Sequence, residues 1–225
     1  MSRARAITIA GDESLGVSGL LLAPPQASAC VVLAHGAGAG MAHPFMVTVA
    51  EGLAERDIAT LRYQFPYMER GSRRPDTPRI AHATVRAAVA EAARLLPDAA
   101  LFAGGKSFGG RMTSQAQAEA PLPGVRGLIF LGFPLHPAGK PSDERATHLA
   151  RIEVPMLFLQ GSRDDLASLD LLRPVVERLG DDATLAVFEH ADHSFHVAAR
   201  SGLKDAEVMI DLLETVTRWI EGQSP

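Results

Sequence analysis

The chain of 225 residues lacks several things that would place it in a special class. It has one cysteine, Cys30, so no internal disulfide can form and a reducing compartment is expected. It has no excess of positive charge: Lys and Arg number 22 against 26 Asp and Glu, a formal charge of −4. No basic surface therefore advertises binding to nucleic acid or anionic lipid. No apolar run approaches the roughly 20 residues of a membrane span. The start, MSRARAITIAGDE, carries basic residues but no adequate apolar stretch before Gly11 and Asp12, so no signal peptide is expected. These absences lead us to expect a cytoplasmic protein, with neither nucleic acid nor membrane as partner.

What is present is ordinary for a globular protein: 47% hydrophobic and 21% charged residues. A chain of this length buries about 70% of its unfolded surface, so the core needs no metal or disulfide staple. Residues 1–225 read as a single domain, with no internal repeat and no linker.

Short apolar runs alternate with amphipathic segments, which predicts an α/β fold with a parallel sheet covered by helices. Residues 29–36, 58–65, 100–105, 125–133, 155–161 and 183–190 read as buried strands. The near-continuous apolar character of VVLA, LIFL and MLFL fits strands covered on both faces. ARAITIA and VSGLLLAP, flanking GDESLG, predict an antiparallel hairpin at one edge. Helices are expected at about 43–56, 79–96, 108–120, 165–180 and 203–222. In the second of these, Ile80, Thr84, Val85, Ala88, Ala92 and Leu95 share one face. The segment 66–79, PYMERGSRRPDTPR, has loop composition and reads first as solvated surface, second as the mouth of a site. Met46, Val49, Trp219 and Cys30 read as packing residues.

Two glycine-rich turns carry chemistry. Gly105-Lys106-Ser107-Phe108-Gly109 matches the G-x-S-x-G nucleophile elbow, in which a strained strand-to-helix turn presents a serine and small neighbours let the backbone approach. Chance would supply about 0.1 such matches in this composition, and the flanking strand and helix strengthen this one. The overlapping A-x-x-x-x-G-K-S of Ala100–Ser107 nearly fits a phosphate-binding loop. Its Leu101, Phe102 and Ala103 are strand, however, where a phosphate cradle needs loop. The other turn, His35-Gly36-Ala37-Gly38-Ala39-Gly40, fails as a dinucleotide fingerprint because Met41 stands where a third glycine belongs. As the oxyanion loop of an acyl-transfer enzyme it fits.

A nucleophilic serine needs a base, and the base an orienting acid, in the chain order Ser, acid, His. PMLFLQG is followed by Ser162-Arg163-Asp164-Asp165, and ATLAVFEH by Ala191-Asp192-His193. Asp164 is the preferred acid; Asp165 is better placed to cap the helix that follows. Asp192 adjoins His193 and folds back onto it poorly. His190, His193 and His196 form H-x-x-H-x-x-H, a metal pattern if helical, but the segment begins at a strand end in a turn. No metal and no cofactor are therefore expected.

The segments LAHGAGAGMAHPFM (33–46), LRYQFPYMERGSRRPD (61–76), GGKSFGGRM (104–112), LQGSRDDL (159–166) and HADHSF (190–195) resemble the compact α/β-hydrolases related to the dienelactone hydrolases. The branch they most resemble is a bacterial one similar to the testis-expressed hydrolase-like proteins and to a scaffold subunit of the animal NSL chromatin complex. The resemblance implies an α/β-hydrolase fold: a mostly parallel eight-stranded sheet, an antiparallel N-terminal edge, and helices on both faces. It implies Ser107 as nucleophile, Asp164 as acid and His193 as base, with the N–H groups of Ala37 and Phe108 as oxyanion donors. Ser107 stands where dienelactone hydrolases proper carry cysteine. Lids in this fold follow the sixth strand. Only Pro134–Val154 lie there, and a connecting helix in DERATHLARI leaves no residues for a lid domain. The expected activity is serine hydrolysis of a small acyl substrate; the other reading is a hydrolase-fold binding module with a vestigial triad.

Overall fold

Apolar β-forming runs separated by helix formers build one sheet of eight strands, in a computed structural model that describes residues 3–11 and 16–223. Strands β1 (Arg5–Ile9) and β2 (Val17–Leu22) pair antiparallel, as the hairpin reading has it. Residues 12–15 of its GDESLG turn lie outside the described residues. Next come β3 (Ala29–Ala34), α1 (Pro44–Ala54), β4 (Ile58–Tyr63), the short α2 (Pro66–Glu69) and α3 (Pro78–Leu95). β5 (Ala100–Lys106), α4 (Phe108–Glu119) and β6 (Val125–Leu131) follow. The chain closes with β7 (Met156–Gly161), α5 (Leu169–Leu179), β8 (Ala183–Phe188) and α6 (Asp205–Gly222). The spatial order is β1-β2-β4-β3-β5-β6-β7-β8, with β2 antiparallel to β4 and every later pair parallel.

The period of two along β3 sorts its side chains between two cores. Cys30, Val32 and Ala34 join α3, α4 and α5 on one face through residues such as Val85, Met112 and Leu172. Ala29, Val31 and Leu33 join α1 and α6 on the other through Met46, Val49, Leu53, Leu212 and Val216. Trp219 of α6 packs edge-on against Phe102, with 5.8 Å between ring centroids. Burial of Cys30 pushes its thiol up to about 12, the state of an inert packing residue.

Two expectations need correction. The buried stripe of α3 is Ala81, Thr84, Val85, Ala88, Val89 and Ala92; Ile80 and Leu95 lie only partly covered at its ends. The helix expected from 165 begins at Leu169, with Ser168 as its N-cap residue, so Asp165 sits in a turn and caps nothing. The connecting helix expected in DERATHLARI is there, as the 3₁₀ helix Glu144–Arg151. It buries Ala146, His148 and Leu149 against the body, so it is packed structure and not a lid.

After β3 the chain moves to β4 on one side, then returns past β3 to β5 on the other. Such a reversal opens a crevice at the carboxyl ends of the two strands, where doubly wound sheets place their sites. The turns at 35–40 and at Ser107 both leave the sheet at this point.

Candidate active site

Ser107 stands between the end of β5 and the first turn of α4, at φ 51° and ψ −115°. Such a conformation costs a non-glycine residue roughly 1–3 kcal/mol and must be held by its surroundings. Two glycines make room for it. A Cβ at Gly105 would lie 2.2 Å from the Ala34 carbonyl oxygen, and one at Gly109 would lie 2.5 Å from the same atom. The G-x-S-x-G spacing is thus a packing requirement of β3 against the elbow. Leu101–Ala103 are strand, which removes the phosphate-loop geometry.

Asp164 follows β7, and its side chain is fully buried. One carboxylate oxygen, Oδ1, accepts the N–H of Leu166 at 2.8 Å. The other, Oδ2, accepts a short hydrogen bond from the Gln160 side-chain amide, whose own oxygen accepts the Phe133 N–H at 2.9 Å. Asp165, the alternative acid, is exposed, and no hydrogen bond of its side chain is found among the described residues.

His193 sits in a turn beyond β8. Asp192 Oδ1 accepts the N–H groups of Ser194 and His196 at 2.7 and 3.0 Å, and Ala191 bridges to Val197. That turn brings His193 Nε2 to 2.8 Å from Ser107 Oγ and Nδ1 to 2.7 Å from Asp164 Oδ2. The partners assign the tautomer: Nδ1–H donates to the carboxylate, and Nε2 accepts from the serine hydroxyl. The other two histidines make their hydrogen bonds elsewhere. The His190 backbone N–H donates to Ser162 Oγ at 2.8 Å, and the His196 ring pairs with Asp205 at 2.8 Å. Asp205 raises the basicity of His196 through that bond. Among the described residues no group of three or more His, Cys, Asp or Glu is placed to hold a metal ion.

Across the crevice, the 35–40 turn is held from below. His35 is buried; its Nδ1–H donates to the Gly36 carbonyl at 2.7 Å, and its Nε2 accepts the Phe65 N–H at 3.1 Å. Burial lowers its basicity, which suits a neutral ring bonded at both nitrogens. The Gly38 N–H donates to the Tyr67 hydroxyl at 3.0 Å. Tyr67 belongs to the segment read first as solvated surface, yet it is fully buried. Asp76 fixes the segment by accepting the Tyr67 N–H at 2.7 Å and pairing with Arg70 at 2.5 Å. Tyr67 thus braces the turn behind the site, while residues 69–71, 73–75 and 77–79 are exposed, as the surface reading expects. With Gly38 occupied, the N–H groups of Ala37 and Phe108 have no acceptor among the described residues.

Three contributors escaped the sequence reading. Gln160 and Tyr67 looked like an interior strand residue and a loop aromatic, and only tertiary contact reveals them. Lys106 was visible as the elbow's second residue, but its partner lies 87 residues away. There is also a second serine–histidine contact, Ser114 Oγ to His148 Nε2 at 2.8 Å. Ser114 is fully buried, and His148 has no carboxylate partner among the described residues. Burial, then the charge of Arg111, pushes His148 down to about 4. This pair joins α4 to the 3₁₀ helix and is closed to a substrate.

The family model described as the alpha/beta hydrolase domain matches residues 27–221, and the chain belongs to that family. A dienelactone hydrolase from Anabaena variabilis is similar in structure, with a TM-score of 0.80 at 20% identity over 98% of each chain. An α/β serine hydrolase without a lid, from Xanthomonas campestris, gives 0.74 at 21% identity over 97% of this chain and 96% of that one. An esterase from Pyrococcus furiosus gives 0.72 at 14% identity over 96% and 91%. At these identities the likeness is one of fold. Among the described residues no helix is long and apolar enough to cross a membrane.

Proposed function

We propose that this chain is a serine hydrolase that cleaves an ester or related acyl bond of a small, soluble substrate, working as one domain in the cytoplasm. The observation that carries the reading is the continuous relay from Asp164 Oδ2 through the His193 ring to Ser107 Oγ, at 2.7 and 2.8 Å. Ser107 Oγ attacks the acyl carbon as His193 Nε2 takes its proton. Asp164 stabilises the imidazolium that forms and keeps the ring in the tautomer the step needs. The carbonyl oxygen gains negative charge and turns to the N–H groups of Ala37 and Phe108, each worth roughly 3–4 kcal/mol in comparable sites. Collapse of the tetrahedral adduct breaks the bond to the leaving group, which departs with the proton from His193. Water, deprotonated by the same ring, then attacks the acyl-enzyme and releases Ser107. No step calls on a cofactor.

The test is covalent labelling by a fluorophosphonate probe, read by mass spectrometry. Stoichiometric modification of Ser107, lost in Ser107→Ala with the melting curve retained, is the expected result. Absence of labelling in the wild-type protein would favour a binding module on a hydrolase fold. Labelling that persists in Ser107→Ala would move the nucleophile elsewhere.

A further inference from the structure

Lys106 ends β5, directly before Ser107, and its side chain is largely buried. Its ammonium donates a short hydrogen bond to the backbone carbonyl of His193. It also lies against two aromatic rings, 5.5 Å from the centroid of Phe195 and 5.8 Å from that of Phe45. Those rings stack on each other with centroids 5.9 Å apart. Space for the ammonium is reserved on the third side, because a Cβ at Gly132 would lie 2.9 Å from Nζ. The charged or titratable groups facing it are Asp164, Asp192 and His193.

A buried cation is costly, and an apolar side chain would fill this space more cheaply. The Lys106 contact does something that packing cannot. The His193 turn is built of strained backbone, with His190 at φ 64° and Phe195 at φ 61°. Its own hydrogen bonds tie it to itself, to the end of β7 and, through Asp205, to the start of α6, while Lys106 ties the His193 carbonyl to the strand that carries the serine. We infer that Lys106 is a positioning residue: its ammonium, fixed to the serine's strand, holds the His193 carbonyl and so sets the approach of the imidazole to Ser107. This inference rests on the serine-hydrolase reading for its kinetic consequence, but not for the structural one.

Burial lowers the Lys106 ammonium to about 8, against the opposing pull of Asp164 and then Asp192. Loss of its proton weakens the bond to the carbonyl within a workable pH range. The experiment compares wild type, Lys106→Met and Lys106→Arg from pH 6 to 10 by ester hydrolysis and by fluorophosphonate labelling rate. Histidine ring signals in long-range ¹H–¹⁵N spectra give a readout independent of activity. Lys106→Met should lower kcat roughly ten- to a hundredfold with KM within about twofold, the cost expected of a base displaced by about an ångström. Wild type should fall in activity above about pH 8 as Lys106 loses its proton, and Lys106→Met should lack that fall. Lys106→Arg, charged throughout, should recover much of kcat and hold its plateau beyond that pH. Full kcat and an unchanged alkaline limb in Lys106→Met would overturn the inference. If Lys106→Met does not fold, Lys106→Arg decides: a persisting fall near pH 8 overturns it, and a level plateau supports it. If wild type is inert to substrate and probe, the serine reading fails by itself. The His193 ring signal still judges Lys106, moving in the Met variant if the inference holds and staying put if it does not.

Discussion

Gly38 and Tyr67, 29 residues apart in the chain, are joined by a hydrogen bond of 3.0 Å from the glycine N–H to the phenol oxygen. The bond consumes one donor of the 35–40 turn and leaves its neighbour at Ala37 free to face the crevice. Tyr67→Phe keeps the ring packing against Phe65 and Phe108 and removes only the acceptor. The turn should loosen and the donors lose their aim. We expect a loss of about 1 kcal/mol in transition-state stabilisation, a five- to tenfold fall in kcat, with KM and melting temperature nearly unchanged. Steady-state kinetics on a chromogenic ester checks it.

The two neighbouring aspartates separate by what their oxygens touch. Asp164→Asn places an amide against either the Gln160 amide or the Leu166 N–H, both of which need an acceptor. Turnover should fall by roughly 10³–10⁴-fold, the cost of the wrong histidine tautomer. Unlike a purely catalytic change, it should also lower stability by about 1–3 kcal/mol through the unpaired buried donor. Asp165→Asn, exposed and capping no helix, should leave both quantities at wild-type values. Urea unfolding beside kinetics distinguishes the pair, and equal losses in both would refute the assignment.

Much of the fold was legible because buried parallel strands write themselves as apolar runs, and their alternation with helices implies parallel pairing. Ser107, Asp164 and His193 were legible as types at strand ends. What stayed hidden depends on side chains meeting across the sheet. Nothing local to Gln160 says that its amide braces Asp164. The composition of 66–79 signals solvent, because arginine, proline and glycine outvote one tyrosine whose hydroxyl finds a glycine of another loop. Asp165 misled for a related reason. Side-chain capping is a local pattern, but the chain spends residues 165–168 on a turn that Asp164 itself closes before α5 can begin.

His148 should make the protein sensitive to acid. Its pKa falls from 6.5 to about 4, first through burial and then through Arg111. Between those values the unfolded chain binds more protons than the folded one, so stability rises with pH across this window and is lost as pH drops through it. The contribution is on the order of 3 kcal/mol. His148→Gln should flatten this part of the profile relative to wild type, measured as urea midpoints at pH 4.5 and pH 7.

Lys106 has the same sign in a different window. Its pKa is lowered from 10.5 to about 8 by burial, so the unfolded state holds the extra proton between those values. Stability should therefore rise with pH from about 8 to 10.5 on its account, again on the order of 3 kcal/mol. Below pH 8 the residue carries the full cost of its buried charge. Lys106→Met should thus be at least as stable as wild type at pH 7, and wild type should gain on the variant toward pH 10. Thermal melts of both proteins at the two pH values check this, and a large loss of stability at pH 7 in the variant would contradict it.

The shape of the site limits the substrate. The connection after β6 is a packed 3₁₀ helix with Leu149 and His148 buried, and the 66–79 segment is pinned by Asp76 to Tyr67 and Arg70. Both are held by these contacts and neither covers the rim, where Ala37 and Gly38 are exposed. A cavity of about 410 Å³ lies between β8 and α6, and one of about 210 Å³ lies at Arg163, His190 and Arg200; neither is lined by Ser107 or His193. A long acyl chain would find little apolar surface to cover it, and a lipid interface would find nothing to open. p-Nitrophenyl acetate and butyrate should therefore be hydrolysed faster than the palmitate ester, with no jump in rate as substrate passes its critical micelle concentration. A preference for palmitate, or a rate jump at the interface, would mean that the 66–79 segment or the β6–β7 connection moves as a lid in solution.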